Sequence, residues 1–600
     1  MTRLTSLLLG LLANVALAGD IDLSPRSWPA GELERYENLF GAEKPLAESR
    51  TGIVVSTTAA AAARAGLEAL NQGGSAVDAV LTHALAEITL VASCCVSHAG
   101  FMDLMVFEAA TGEVHHLNGG WNTVLGEDDP LSIPVDGVPS GRGSLVPGFM
   151  AGVEAAHERF GRLPFAALFG PAIYFAEEGF EVLPMLGGMI GMRRDVLSRR
   201  PDTQAVFTKD DGSWYAAGDH FAQPKLAHTL RQVAEQGARY MYTGPWGRKL
   251  VEAVRSEGGK MTLEDLERYE PTWHAALAST FRGYDVHATA QPNLGGVNMI
   301  EALNLVEQAD LGRLGHYTES PEALFRLTRI ARTMDIMGTS LTHHVTPAAL
   351  FERHAPGVAT SPEERTSKAA AKRLWQAMQT DGWGDLNVAA YEWQPDASSG
   401  NHSDAVVAVD AEGNAAALLH TINTALWGTT GIFVDGVAIA DSAKYQQTKI
   451  ARAGPGKRLP IETNPVLISR NGKPVLVSSS IGMGVHEQTY QAIVNILEYG
   501  LDPKAAAESP QVLRPMSGGL DFTLSAAMEN AAAQTVAAGA FDGELLQQVR
   551  AMGQPMQEIP GETAGGWRGY WVGIHVDPET GIRRGAVSPY FDGWALGQDN

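Results

Sequence analysis

The sequence predicts an α+β protein built as a four-layer αββα sandwich, with two central β-sheets between two outer layers of helices. Two observations lead to this prediction. Two strand pairs, at 405–409 with 415–421 and at 466–469 with 475–480, are almost continuously apolar, which is typical of strands buried on both faces. Segments of high helix propensity come before and after these pairs.

Composition sets the first limits on function. The chain has 600 residues, of which 45% are hydrophobic and 19% charged, so a large core is possible. A total of 45 Lys and Arg against 68 Asp and Glu gives a net charge of −23, which argues against nucleic acid as a partner. The two cysteines, Cys94 and Cys95, are adjacent. They exclude a disulfide framework and a four-cysteine metal site.

Residues 1–18 have the features of a signal peptide. A basic Arg3 precedes an apolar run at 7–15, and Ala16-Leu17-Ala18 is a small-x-small cleavage signal. We expect a mature protein that starts near Gly19, is periplasmic or secreted, and has no membrane association after the signal is removed. The alternative is a short buried helix. A spanning helix is disfavoured because it needs about 20 apolar residues.

Further elements follow from helix propensity, caps and turn residues. Helices are predicted at 57–70, at 75–88 with Ser75 as cap, and at 153–160, 165–178, 224–236, 295–307, 321–339 and 487–499. Strands are predicted at 101–107, 114–117, 281–288, 570–576 and 585–588. The segment 395–402 is an exposed connector, and Asn471-Gly472 favours a hairpin.

Familiar catalytic and nucleotide-binding motifs are absent from the sequence. There is no G-x-S-x-G, S-x-x-K, H-E-x-x-H, P-loop or G-x-G-x-x-G pattern. The adjacent pairs His115-His116 and His343-His344 point apart in regular structure and are not interpreted as ligands. We therefore expect no metal and no organic cofactor.

An ordered series of segments, from about residue 50 to about residue 515, carries one resemblance. Its parts lie at 73–79, 100–102, 146–148, 163–164, 171–180, 263–266, 281–284, 410–414 and 421–424. The series resembles the gamma-glutamyltransferase family of the N-terminal-nucleophile hydrolase superfamily, with this chain as a divergent member. The resemblance implies the αββα fold of that superfamily.

The same resemblance implies a proenzyme that cuts itself before its nucleophile. The nucleophile's side-chain oxygen then attacks, and its freed α-amine acts as the base. The family has Thr-Thr-His at this point, and its first threonine is the nucleophile. Counting back from Asp410 puts that position at Ser403 and the second threonine at Asp404, so we expect cleavage after His402. Residues 19–402 would be a large-subunit-like segment and 403–600 a small-subunit-like segment, which together form one αββα unit as an αβ heterodimer. The alternative is that Ser403 only turns the chain into a strand.

Four more positions match family positions at the catalytic centre. Thr421 would hold the nucleophile's hydroxyl and Asn423 would bind substrate; alternation along a strand would put both on one face. The alternative is strand-end capping by small polar residues. The backbone N–H groups of Gly482 and Met483 would stabilise the oxyanion. The family has Gly where Met483 stands, so this role requires Met to adopt the necessary φ.

Departures from the family pattern fall on substrate recognition. The arginine that pairs with a glutamyl carboxylate is missing from 118–122, where Trp121 is a candidate substrate contact. The aspartate that binds the ammonium is replaced by Lys444 or Tyr445, and the family's Ser-Ser pair falls near 461–462. Each lost charge-assisted bond costs about 1.5–3 kcal/mol. Lys444 would receive a substrate carboxylate or be a solvated charge.

The sequence therefore predicts an exported, self-processing amidohydrolase or acyltransferase that acts on a small-molecule amide or peptide other than glutathione. Two alternatives are a non-catalytic relative that binds a ligand or has a structural role, and a true gamma-glutamyltransferase or glutathione hydrolase. The resemblance places Cys94 and Cys95 near the catalytic centre, where bulkier residues than the family's glycines imply a reshaped pocket. We expect two buried thiols; a strained disulfide between them is the alternative.

Overall fold

Two seven-stranded sheets lie at the centre of the protein. The computed structural model describes residues 21–37, 39, 41–135, 138–338, 356–380, 383, 403–513, 533–561, 565 and 568–599. The predicted signal peptide, the whole predicted connector 395–402 and the pair His343-His344 fall outside these ranges. Among the described residues, no helix combines the length and the apolar character that crossing a membrane requires.

The strands are listed in chain order. They are β1 (Ala47–Ser49), β2 (Ile53–Ser56), β3 (Phe101–Glu108), β4 (Glu113–Gly119), β5 (Phe180–Glu181), β6 (His220–Phe221), β7 (Thr272–Ala275), β8 (Leu277–Phe281), β9 (Tyr284–Ala288), β10 (Asp404–Val409), β11 (Ala415–Thr421), β12 (Phe433–Val434), β13 (Val437–Ala438), β14 (Val466–Arg470), β15 (Lys473–Gly482), β16 (Val512–Leu513), β17 (Gln534–Ala537), β18 (Met556–Ile559), β19 (Gly569–Val576), β20 (Arg583–Val587) and β21 (Ala595–Gly597).

The α-helices are also listed in chain order. They are α1 (Glu32–Glu37), α2 (Ala60–Asn71), α3 (Ala76–Leu90), α4 (Phe149–Phe160), α5 (Gly170–Glu178), α6 (Pro184–Met192), α7 (Arg194–Leu197), α8 (Pro201–Phe207), α9 (Pro224–Gln236), α10 (Arg239–Tyr242), α11 (Pro245–Ser256), α12 (Leu263–Glu267), α13 (Gly295–Ala309), α14 (Pro321–Gly338), α15 (Pro362–Arg365), α16 (Lys368–Met378), α17 (Gln447–Ala453), α18 (Val485–Leu497), α19 (Pro503–Glu508) and α20 (Gly543–Ala551).

Both sheets combine strands from the two predicted segments. One sheet has the order β1-β20-β19-β15-β14-β9-β8, and the other has the order β21-β2-β10-β11-β3-β4-β7. All neighbouring strands that are described in these two sheets are antiparallel. Residues before 402 and after 403 are therefore interleaved in each sheet, as expected if both segments form one unit.

Strand alternation produces the layers of the sandwich. On β10, Ala405 and Val407 pack against the facing sheet. Val406 and Ala408 point the other way, into the core shared with α2 and α3. The facing sheet is covered on its outer side by a core that includes α13, α14 and α18. The predicted four-layer αββα sandwich is thereby confirmed.

Local sequence signals explain most element boundaries. The predicted cap is present, because Ser75 Oγ accepts from Asp78 N at 3.1 Å and Asp78 accepts from Ser75 N at 2.9 Å. The predicted helix at 165–178 is wrong as one element. A 3-10 segment at Phe165–Phe169 precedes α5, which begins at Gly170-Pro171, since proline is tolerated only in the first turn of a helix.

The strand predicted at 281–288 is also divided in the structure. It becomes a hairpin of β8 and β9 around Arg282 and Gly283, which have φ of 51° and 81°. These left-handed residues form a tight reversal that a continuous strand cannot contain.

Candidate active site

Ser403 lies immediately before β10 and is partly buried. Because Ala405 faces the opposite sheet, alternation points the Ser403 side chain into the space between the two sheets. The pairing of Asp404 with His420, continued by one residue, puts Ser403 opposite Thr421. The predicted nucleophile is therefore at the end of the central strand pair, on the face where the sheets meet.

Thr421 and Asn423 are adjacent to this position, but not on one strand face as predicted. Strand β11 ends at Thr421, and Asn423 is exposed with φ of 47°. The Thr421 hydroxyl accepts from Asn423 N at 3.0 Å. The prediction of simple alternation is wrong because asparagine tolerates the left-handed conformation and starts a turn here. The amide of Asn423 is thereby presented at the surface beside the strand end.

The predicted oxyanion donors lie at a strand-to-helix turn. Gly482 ends β15 with φ of 88°, and an added Cβ would be 2.6 Å from Arg568 O. Met483 is not among the positive-φ residues. The turn therefore needs a left-handed conformation only at Gly482, and a methionine fits at the next position. Helix α18 starts at Val485, and its positive N-terminal end favours negative charge at this turn.

A chain of contacts brings the two parts to the same end of the sandwich. Leu419, two residues before the end of β11, pairs with Asp103 on β3. Asp103 accepts a hydrogen bond from the Thr463 hydroxyl. The next residue, Asn464, donates to Val485 O at 2.9 Å, at the start of the helix that follows the oxyanion turn. The nucleophile position and the oxyanion turn therefore belong to one region.

A buried hydrogen-bond network lies on the other face of β10, directly after Ser403. Asp404 Oδ1 accepts from the hydroxyls of Thr57 at 2.8 Å and Thr58 at 2.7 Å. Asp404 Oδ2 is 2.9 Å from His83 Nε2 and 3.2 Å from His420 Nε2. All five side chains are buried. Asp404, the residue that follows the predicted nucleophile, is therefore held by four hydrogen-bonding partners.

The protonation states in this network are set by burial and by neighbouring charge. Burial acts to raise the pKa of Asp404, but His83 and His420 outweigh it and hold that pKa well below its ordinary value. Burial, and then the charge of Asp404, raise the pKa of Glu87 well above its ordinary value. Glu87 Oε1 is 3.0 Å from Thr58 Oγ1. Thr58 has one hydroxyl proton and lies within hydrogen-bond distance of both carboxyl groups. A Glu87 that keeps its proton therefore donates to Thr58 Oγ1 and leaves Thr58 to donate to Asp404.

The network contains residue types that can also bind a metal ion. Ligand atoms of Glu87, Asp404 and His420 lie within 4.8 Å of one another. The Nε2 atoms of His83 and His420 both face Asp404 Oδ2 at hydrogen-bond distance. Because N–H donation satisfies this geometry, we assign the cluster as a hydrogen-bonded network. Sequence reasoning missed it, since its members come from four separate segments; the one local signal was an aspartate at the family's second threonine.

Lys444 was predicted to be a solvated charge or to receive a substrate carboxylate, but its side chain is buried and already has partners. Its side chain is 3% exposed, and Nζ lies 3.1 Å from Asp441 Oδ2. It also donates to Thr429 Oγ1 at 2.9 Å. The interpretation of a solvated charge is wrong, because a lysine this deep requires a partner. The neighbouring Tyr445 is partly buried, with its ring 4.8 Å from Lys444 Nζ. Roles for these two residues in substrate binding stay predictions.

The predicted contact Trp121 belongs to a small core. It is 1% exposed and packs edge-on against Phe101 at 5.6 Å. The surrounding segment is fixed by Arg458, which donates to Asn122 Oδ1 at 2.8 Å and to Asn118 Oδ1 at 2.9 Å. This arginine was missed from the sequence because it approaches from a distant loop. It braces the segment in which the family's carboxylate-binding arginine is missing.

Cys94 and Cys95 are both free and buried, so the expectation of two buried thiols is confirmed. Burial raises the pKa of the Cys95 thiol well above its ordinary value. Their carbonyl groups hold the turn after β11: Cys95 O accepts from Ile422 N at 3.1 Å and Cys94 O from Trp427 N at 2.8 Å. The two cysteines therefore support the turn that presents Asn423.

Comparison with known proteins shows the family of the chain. The profile of the family described as Gamma-glutamyltranspeptidase matches residues 62–572. The chain belongs to this family. It is 26% identical to the glutathione hydrolase proenzyme of Escherichia coli (strain K12), over 79% of this chain and 83% of that protein. It is also 26% identical to the acylase ACY 1 proenzyme of Pseudomonas sp. (strain SE83), over 83% of this chain and 88% of that protein.

A solved structure has the same fold. Cephalosporin acylase from Bacillus halodurans superimposes with a TM-score of 0.74 at 22% identity, covering 93% of this chain and 98% of that one. This likeness shows the fold. Within the Gamma-glutamyltranspeptidase family, the chain is a divergent member.

Proposed function

We propose that this chain is a self-processing amidohydrolase or acyltransferase whose nucleophile is Ser403, released as a new N-terminus by cleavage after His402. The observation that carries the proposal is the position of Ser403. It immediately precedes the central strand β10, and strand alternation turns its side chain toward the space between the sheets, at the end of the sandwich that also holds Thr421 and the turn of Gly482 and Met483. Relatives named as proenzymes, one a glutathione hydrolase and one an acylase, support it.

In this mechanism each group has one task. The free α-amine of Ser403, with an ordinary pKa of about 7.7–8.0, takes the proton from Oγ as Oγ attacks the amide carbonyl. The N–H groups of Gly482 and Met483 donate to the oxyanion, and Thr421 orients the hydroxyl. The leaving amine takes the proton from the α-amine. Water, or an acceptor amine, then releases the acyl group from Ser403.

The buried network below β10 supports this arrangement by fixing the residue next to the nucleophile. Asp404 is fully buried and has four hydrogen-bonding partners. A side chain held so firmly limits rotation of the preceding backbone, which carries the attacking oxygen and the α-amine. Such preorganisation matters because a reacting group that is misplaced by about 1 Å can lose about 10²-fold in rate.

The substrate is an amide other than glutathione. A γ-glutamyl group carries a carboxylate and an ammonium, and each needs a fixed partner of opposite charge. The segment 118–122 supplies no arginine, and Lys444 is already paired with Asp441. We infer further that residues 1–18 direct export to the periplasm or outside the cell, and that the processed chains stay together as an αβ heterodimer.

The test is covalent labelling of the processed enzyme. An electrophilic acylating agent should add the mass of its acyl group to the peptide that begins with Ser403, and Ser403→Ala should lose processing and labelling together. Ser403→Thr, which restores the residue type of the family, is the matched control and should keep both. Labelling elsewhere, with Ser403→Ala still active, would remove the assignment. A preference for γ-glutamyl anilides would favour a true gamma-glutamyltransferase.

A further inference from the structure

An apolar crevice lies beside the proposed site. It is bordered by the start of α2, the end of α3, helix α6 and the segment 591–592. Its lining is mostly apolar and includes Leu90, Phe180, Leu186, Met189 and Phe591. Small-molecule sites in proteins are concave and mostly apolar, with a few polar groups. The crevice therefore has the shape and the apolar character of a ligand site.

Two of the crevice walls contact residues that are next to proposed site residues in the chain. Thr58 lines the crevice and donates to Asp404 Oδ1 at 2.7 Å, so this wall holds the residue that follows Ser403. Cys95 also lines it, and Cys95 O accepts from Ile422 N at 3.1 Å, one residue before the exposed asparagine of the turn. Thr58 and Cys95 therefore both line the crevice and hydrogen-bond to a residue that is next to a proposed site residue.

A third wall leads to the oxyanion turn. The ring of Phe591, in the crevice lining, is 5.0 Å from the ring of Tyr570. Tyr570 packs against Gly482, where an added Cβ would be 3.0 Å from the tyrosine ring. Three separate contacts thus connect the crevice to strand β10, to the turn that contains Asn423 and to the turn of Gly482 and Met483.

The polar groups of the lining disfavour an acidic ligand. The described lining residues include Asp592 and Glu181 but no lysine, arginine or histidine. Asp592 is buried, and its Oδ1 has no hydrogen-bond partner among the described residues. Burial raises the pKa of Asp592 to about 6. Lys44 acts on Asp592 from outside the lining, so a carboxylate that enters the crevice would meet two acids and no cation of the described lining. Burying its charge there has a cost that an aliphatic chain avoids.

We propose that the crevice holds the acyl chain of the substrate and that this chain is apolar and uncharged. The proposal rests on the proposed function and adds its substrate class. The acyl part suits an enclosed crevice better than the leaving amine does, because the acyl part stays bound to Ser403 through both half-reactions while the amine departs after the first. The preferred substrate is an amide of a medium-chain fatty acid or an arylalkanoic acid.

The test uses processed enzyme and a series of nitroanilides. The acyl groups are acetyl, butyryl, hexanoyl, octanoyl, glutaryl and γ-glutamyl. Burial of each methylene should raise kcat/KM about fourfold along the straight-chain series, and octanoyl should exceed both acidic groups. An enzyme that processes itself but prefers glutaryl or γ-glutamyl anilide overturns this inference and leaves the proposed function standing. A chain that neither processes nor turns over an anilide overturns both.

A matched pair of variants on α6 tests the location. Met189 lines the crevice, whereas Met192 is on the same helix and 73% exposed. Met189→Trp fills the crevice, so kcat/KM should fall about tenfold or more for octanoyl anilide and stay unchanged for acetyl anilide. Met192→Trp should change neither. Met185→Ala, which only removes atoms from the lining, should extend the preference to longer chains. Equal behaviour of the Met189 and Met192 variants overturns the inference.

Discussion

Glu87→Gln tests the charge states assigned to the network below the nucleophile. Glu87 is buried, with Oε1 at 3.0 Å from Thr58 Oγ1 and with Oε2 lacking a hydrogen-bond partner among the described residues. Burial and the negative charge of Asp404 raise its pKa well above the ordinary value. In the unfolded chain Glu87 ionises near pH 4.3. An acid whose pKa is raised by folding makes the protein less stable as pH rises above the unfolded pKa.

Glutamine has the shape of a protonated glutamate and does not ionise, so the variant lacks this loss. For each pH unit over which Glu87 stays protonated only in the folded state, the wild type loses about 1.4 kcal/mol relative to the variant. The unfolding entropy of about 2.1 cal/mol/K per residue over 600 residues converts this loss to about 1 °C in Tm. The Tm of Glu87→Gln should therefore rise relative to wild type by about 1 °C per pH unit above pH 5.

The assay is thermal unfolding of both proteins between about pH 5 and pH 8. Glu252→Gln on the exposed face of α11 is the control, and its difference from wild type should be small and constant with pH. A constant difference for Glu87→Gln would refute the assignment. It would mean that Glu87 is ionised in the folded protein, held by the imidazole of His420, whose Nε2 lies 3.9 Å away.

Three further predictions concern single positions of the site. Met483→Pro removes one oxyanion donor and should lower kcat about 10²–10³-fold, while Met483→Ala keeps the N–H and most of the activity; equal losses would implicate the side chain instead. Asn423→Gly keeps the left-handed turn but loses the amide, so kcat/KM should fall up to about tenfold, and unchanged kinetics would exclude a substrate contact. Lys444→Met leaves the buried Asp441 carboxylate without its cation. The free energy of unfolding should fall by about 3–5 kcal/mol, or Tm by about 3 °C, and adding Asp441→Asn should restore part of the loss. A raised KM with unchanged Tm would instead assign Lys444 to the substrate.

Local patterns were sufficient to predict the sheets. The apolar strand pairs at 405–421 and 466–480 became β10 with β11 and β14 with β15, because continuous burial on both faces leaves a plain signal in the sequence. The predicted helix at 224–236 is α9, which begins at its proline. The prediction was wrong where a single turn interrupts an apolar run, as at Arg282 and Gly283.

The site could be predicted only where one segment carries it. The positions of Ser403, Gly482 and Met483 follow from the family resemblance, since each lies in or beside a continuous segment that matches the family pattern. The partners of Asp404 do not, since Thr57, His83 and His420 are brought together by the stacking of α3 on the sheet. The interpretation of Lys444 as a solvated charge was wrong for a related reason, because the burial of a charged side chain depends on which residues the fold packs around it.

The N-terminal sequence of the smaller chain in the purified, exported protein tests the central claim most directly. The account predicts two chains, with the smaller one spanning 403–600 and beginning Ser-Asp-Ala-Val-Val, and a single chain for Ser403→Ala. A wild-type protein that stays one chain after prolonged incubation, or a smaller chain with any other first residue, would contradict the assignment of Ser403 as the nucleophile.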